Sequence, residues 1–184
     1  TSSHAVTADT GAIIVGGNAD VESTLTTMTS LNITGDLDAE DAVEATTGDI
    51  TVGGNADFEA TLTAGGLVDI NGQVDAGGSI TAQSGSITLG TLNTDRLLLT
   101  GDVTLTATDM IALAGNAVSD LAGPHSLTID ATNGTTVAGR VGTIPQQIND
   151  LNVDNGSLTA DGINIVGNLT AAGSVETLNA GNIV

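Results

Sequence analysis

The sequence predicts an all-β fold, a right-handed parallel β-helix with three short strands in each coil of 18–19 residues. Three observations predict it: a 37-residue repeat that divides into coils of 18 and 19, apolar columns that persist from coil to coil, and two-residue alternation inside each coil.

The repeat is read directly. Thr10-Gly11-Ala12-Ile13-Ile14-Val15-Gly16-Gly17-Asn18-Ala19-Asp20 returns 37 residues on as Thr47-Gly48-Asp49-Ile50-Thr51-Val52-Gly53-Gly54-Asn55-Ala56-Asp57, and a weaker copy starts at Ser84. Four apolar columns divide that interval. One is Ile13, Leu31, Ile50, Val68, Ile87, and its neighbour is Val15, Ile33, Val52, Ile70, Leu89. The third is Ala19, Leu37, Ala56, Val74, Leu92, and the fourth is Leu25, Val43, Leu62, Ile80, Leu98. Thr, Asp, Glu or Asn stands between the apolar positions, and a period of two belongs to strands. Gly17, Gly35, Gly54 and Gly72, with Gly11, Gly48, Gly66 and Gly85, mark the corners, where the backbone is expected to need φ > 0 or a sharp bend.

Regular coils are expected over residues 10–107. Pro124, Pro145 and the loop-like composition from Gly115 to Gly123 then disturb the register, which places a protruding loop at about 114–125. Alternation resumes in Ser126-Leu127-Thr128-Ile129-Asp130, so coils are expected to continue over 126–184 within one domain spanning 1–184. About ten coils at about 4.8 Å each would make a rod about 48 Å long. Parallel crossovers favour the right-handed winding.

Composition suits that shape. Apolar residues make up 40%, almost all Val, Ile, Leu and Ala, with Phe58 the single aromatic, as a narrow repeated core requires. Against 22 acidic residues stand only Arg96 and Arg140, giving a formal net charge of -20. Nucleic acid and anionic membrane surfaces are thereby excluded as partners, because both are held by clustered Lys and Arg. No cysteine is present, which fits a chain that is exported unfolded. No apolar run approaches the roughly 18 residues of a membrane span, so no membrane insertion is expected. Thr1-Ser2-Ser3-His4 is neither an initiator start nor a signal peptide, so the chain is expected to be a piece of something longer.

One polar column is as regular as the core: Asp20, Asp38, Asp57, Asp75 and then Asn93. It reads either as a solvated turn ladder that satisfies backbone N–H groups or as a calcium site, since stacked carboxylates repel unless a cation screens them. The calcium candidates are Asp20, Asp36, Asp38, Asp41, Asp57 and Asp75, and the densest acidic cluster is Asp36, Asp38, Glu40 and Asp41. Catalysis is not expected. Acidic pairs are plentiful, but Arg96, Arg140, His4 and His125 are too few, and aromatic platforms too scarce, to bind and turn over a polysaccharide. The histidines stand isolated from metal-ligand partners.

Thr24/Thr26, Thr61/Thr63 and Ser79/Thr81 raise ice binding, but Ala42, Glu44, Leu97 and Leu99 interrupt that ladder. With Leu98 assigned to the core, Leu97 and Leu99 are expected to point outward, either covered by the 114–125 loop or forming an interface with another molecule. Four Asn-x-Ser/Thr matches, beginning at Asn32, Asn133, Asn155 and Asn168, are accounted for by composition.

The Gly48-Asp49-Ile50-Thr51-Val52-Gly53-Gly54 coil resembles the repeats of filamentous-haemagglutinin-type and giant bacterial surface β-helix proteins. So does the stretch from Ser126 through Val141-Gly142-Thr143-Ile144-Pro145 to Leu151-Asn152-Val153. The resemblance implies export to the bacterial cell surface and a role in adhesion, matrix or filament building, and it carries over no catalytic residue. The expected function is an extracellular, rod-like structural protein that self-associates end to end or side by side into a fibre, stalk or matrix. The alternatives are the shaft of an adhesin that meets a host surface or polysaccharide, and an acidic calcium-binding module.

Overall fold

Triplets such as Leu31-Asn32-Ile33 and Leu37-Asp38-Ala39 put two apolar side chains on one face of an extended chain and one polar side chain on the other. Each forms a three-residue strand with its outer residues buried and its middle residue exposed. The computed structural model describes residues 4–177 and repeats this unit along the chain. The strands begin with β1 (Val6–Ala8), β2 (Ile13–Val15), β3 (Ala19–Val21), β4 (Leu25–Thr27), β5 (Leu31–Ile33), β6 (Leu37–Ala39) and β7 (Val43–Ala45). They continue as β8 (Ile50–Val52), β9 (Ala56–Phe58), β10 (Leu62–Ala64), β11 (Val68–Ile70), β12 (Val74–Ala76), β13 (Ile80–Ala82) and β14 (Ile87–Leu89). Then follow β15 (Leu97–Leu99), β16 (Val103–Ala107), β17 (Ile111–Leu113), β18 (Ala117–Ser119), β19 (Leu127–Val141), β20 (Leu151–Ile163), β21 (Leu169–Ala171) and β22 (Ser174–Thr177).

Each short strand pairs in parallel with the third one further along. The first stack is β2, β5, β8, β11, β14 and β17. The second is β3, β6, β9, β12, β15 and β18. The third is β1, β4, β7, β10, β13 and β16. The long β19 runs across all three stacks, pairing with β16, β17 and β18, and β20 lies along β19 and carries β21 and β22. The result is an all-β parallel solenoid of about nine turns, with coils of about 19 residues and no helix among the described residues. At about 4.8 Å per turn the rod is about 43 Å long. The expected coils beyond residue 177, and the chain ends at Thr1 and Val184, lie outside the described residues.

The core is one continuous column of aliphatic side chains. Its single ring shows how volume is balanced. Phe58 is buried and stacks between Ala39 in the coil before and Ala76 in the coil after, so one large side chain is bracketed by two small ones.

Beyond Leu89 the register departs from the expected columns. Leu92, expected inside, is 61% exposed, and Leu97 takes its place beside Val74. Leu98, expected inside, faces outward opposite Asp75, while Leu97 and Leu99, expected to point outward under the 114–125 loop or at an interface, are 2% and 0% exposed. Residues 90–96 cause the shift. They form a corner excursion that opens at Gly90 with φ of 79° and is closed by Asp95, whose Oδ2 accepts from the backbone N–H of Thr91 at 2.9 Å and of Leu92 at 2.7 Å. The coil from Val74 to Leu97 therefore takes 23 residues. The expected loop at 114–125 is also shorter, because β18 is buried throughout and pairs with β15, so the chain leaves the coil only after Ser119.

Candidate functional site

The outward face of the second stack is built from the middle residue of each strand. Asp20, Asp38, Asp57 and Asp75 occupy that position in β3, β6, β9 and β12 and stand in direct register. The column continues with Leu98 and Val118, not with Asn93, which lies exposed in the 90–96 excursion. Two residues earlier in each coil lies a corner column of Asn18, Asp36, Asn55 and Gln73. The first three side chains reach to the next coil: Asn18 Oδ1 accepts from Asp36 N–H at 3.0 Å, Asp36 Oδ1 from Asn55 N–H at 2.8 Å, and Asn55 Oδ1 from Gln73 N–H at 2.9 Å. These bonds satisfy corner N–H groups that have no strand partner.

That ladder explains one glycine column. The φ angles of Gly35, Gly54 and Gly72 are not positive; among the described residues only Gly90, Gly142 and Gly156 adopt positive φ. A Cβ at Gly35, Gly54 or Gly72 would instead collide with the side-chain oxygen of Asn18, Asp36 or Asn55. Close approach, not left-handed backbone, demands glycine at these corners.

The six calcium candidates separate into three places. Asp20, Asp38, Asp57 and Asp75 form the ladder. Asp36 stands in the corner column with its carboxylate engaged by Asn55 and by Asn18 Nδ2, and Asp41 sits on the turn between β6 and β7. Among the described residues no three His, Asp or Glu side chains converge as metal ligands. Stacked strands space their outward side chains evenly, about 4.8 Å apart, so the ladder gathers no shell of six to eight oxygens.

Crowding is felt at the centre of the ladder. The carboxyl of Asp57 is raised above the ordinary carboxylate range, first by partial desolvation, although the residue as a whole is exposed, and then by the charges of Asp75, Asp38 and Glu59. Asp36, Asp38, Asn55, Asp57, Gln73 and Asp75 line a shallow depression on this face, and Gln73 Nε2 donates to Asp75 Oδ1 at 2.7 Å.

Sequence reasoning left Arg96 and Arg140 without a place. Register puts both in the corner column, as Gln73, Arg96, Asn116 and Arg140 in successive coils. Arg140 N–H donates to Asn116 Oδ1 at 2.9 Å, which continues the same side-chain ladder. The recurring Asn and Asp before each strand was the available signal, but the 90–96 excursion hides its continuation.

On the third stack Thr7, Thr26, Glu44, Thr63, Thr81 and Thr106 stand in register. Leu97 and Leu99 belong to another stack and do not interrupt it. His125 is not isolated: its Nε2 lies 3.2 Å from Asp120 Oδ1, and its N–H donates to Ser119 Oγ at 2.8 Å, closing the excursion after β18.

Comparison of the chain with protein-family models, with curated proteins and with solved structures finds no match. Its class therefore follows from its own geometry, that of a β-solenoid.

Proposed function

We propose that this chain is a rod-like extracellular structural element of the bacterial cell surface, which self-associates into a fibre, stalk or matrix. The single sheet that joins β1 to β22 carries the reading, because most of the large apolar side chains are consumed by stacking and the repeated unit is a spacer of defined length. The resemblance of its coils to filamentous-haemagglutinin-type repeats supports export, and the winding is taken as right-handed because parallel crossovers are. Such a rod performs no reaction; its acidic face has no aromatic platform beside it on which a sugar ring could lie. The shaft of an adhesin, with the host-binding surface elsewhere, would be built the same way.

A calcium-bridged form of the rod is a second reading, favoured by the like-charge crowding at Asp57. A divalent cation held between two rods would relieve that crowding without a preformed cage in either. Negative-stain electron microscopy of the purified chain, with calcium and with EDTA, tests both. Assemblies that persist in EDTA support direct self-association, assemblies that dissolve support the bridged form, and single rods one chain wide under both conditions refute self-association.

A further inference from the structure

The second stack carries its carboxylate ladder at one end and both arginines at the other. Asp20, Asp38, Asp57 and Asp75 fill the middle column of four coils, and the coils that follow place Leu98 and Val118 there. Arg96 and Arg140, the only two cationic side chains apart from histidine, stand in the adjoining corner column of these later coils. Neither arginine forms an ion pair among the described residues, in a chain with 22 acidic groups. Arg96 Nε is shielded from solvent and has no hydrogen-bond partner. A guanidinium whose Nε lacks a partner, and an exposed arginine without an ion pair in so acidic a chain, are groups available to an acid from outside their own chain.

Spacing selects the partner. Arg96 and Arg140 are two coils apart, through Leu97, Ala117 and Val141 in register. Asp75 and Asp38 are also two coils apart, through Val74, Ala56 and Leu37. Both separations are about 10 Å along the rod. We propose that two copies of the chain pair side by side and antiparallel through this face, Arg96 of each meeting Asp75 of the other and Arg140 meeting Asp38.

A two-fold axis crossing between β12 and β15 makes every contact occur twice, as an isologous interface requires. Parallel pairing would oppose acid to acid, and antiparallel pairing brings a guanidinium toward the crowded carboxylates around Asp57. The net charge of -20 on each copy opposes any association at very low salt, whereas high salt screens the Arg–Asp contacts. Pairing is therefore strongest at intermediate ionic strength.

This inference rests on the self-association proposed above and names one surface of it, the lateral pairing of two rods. Sedimentation velocity of the full chain over a salt series tests it. The expected result is a dimer that peaks at intermediate salt and is weakened about tenfold or more by the exposed Arg140→Glu change, with Arg96→Glu/Arg140→Glu weaker still. Circular dichroism establishes that each variant is folded. Mixing Arg96→Glu/Arg140→Glu with Asp38→Arg/Asp75→Arg should restore a heterotypic pair, a rescue that simple destabilisation cannot produce. Assembly that is indifferent to all these charges overturns the inference and leaves self-association standing by another surface. A chain that stays monomeric at every concentration and salt overturns both.

Discussion

The coils before and after Gly90 obey the same stacking rule with different regularity. From β2 to β14 each coil is 18 or 19 residues, the corners are short, and the second stack shows only acids and amides. After β14 the corners lengthen, both arginines appear, and Leu92, Leu121, Ile144 and Val166 are exposed at the excursions. Yet β15 returns to pair with β12 and β18 with β15. A solenoid absorbs insertions at its corners because its stability comes from nearest-neighbour stacking of strands, which is indifferent to how far the chain travels between them. The regular half thus supplies length and charge repetition, and the irregular half supplies the chemical differences.

Substitutions that distinguish the halves break or sharpen this contrast. The largest effect is expected at the junction. Leu97→Ala should cost about 2–5 kcal/mol in chemical denaturation, as removal of a buried leucine does, while Leu98→Ala should cost less than about 1 kcal/mol. The reverse order would restore Leu98 to the core and erase the register shift.

A smaller effect is expected at the corners of the regular half. Gly54→Ala pushes a methyl against Asp36 Oδ1 and the Gly35 backbone, whereas Gly17→Ala meets nothing within 4 Å. The first should destabilise by about 1–3 kcal/mol and the second should be near neutral, measured as a difference in unfolding midpoint. Equal costs at both positions would return the explanation to backbone conformation.

The smallest effect concerns the aspartate ladder. Asp57 keeps its proton to higher pH in the folded chain than in the unfolded one, so its ionisation weakens the fold. That penalty is absent below the ordinary carboxylate range, grows as pH rises through the raised folded-state value, and is complete at neutral pH. Asp57→Asn should therefore stabilise the chain at neutral pH by no more than about 0.5 kcal/mol, because solvent screens an exposed carboxylate, with the gain disappearing in acid. A gain that persists at low pH would assign the effect to something other than charge.

Much of this was readable in advance, and the boundary is informative. The columns through Leu89 were legible because each coil alternates apolar and polar residues, which leaves one choice of inward face. The same reasoning failed at Leu97-Leu98-Leu99, where three identical residues carry no alternation and the preceding excursion conceals how many residues the corner consumes. The aspartate ladder was legible as a column, but its end at Asp75 and the place of the arginines depended on that lost register.

The amino-acid sequence alone therefore determined the solenoid, its coil length and its acidic column, since these are consequences of periodicity. Only the tertiary structure decided which leucines are core, why Gly35, Gly54 and Gly72 cannot carry a side chain, and that Arg96 and Arg140 stand beside the aspartate column. Periodicity determines which residues stack within a run of equal coils. Where a loop changes the coil length, only the strand that the chain rejoins determines what stands beside what.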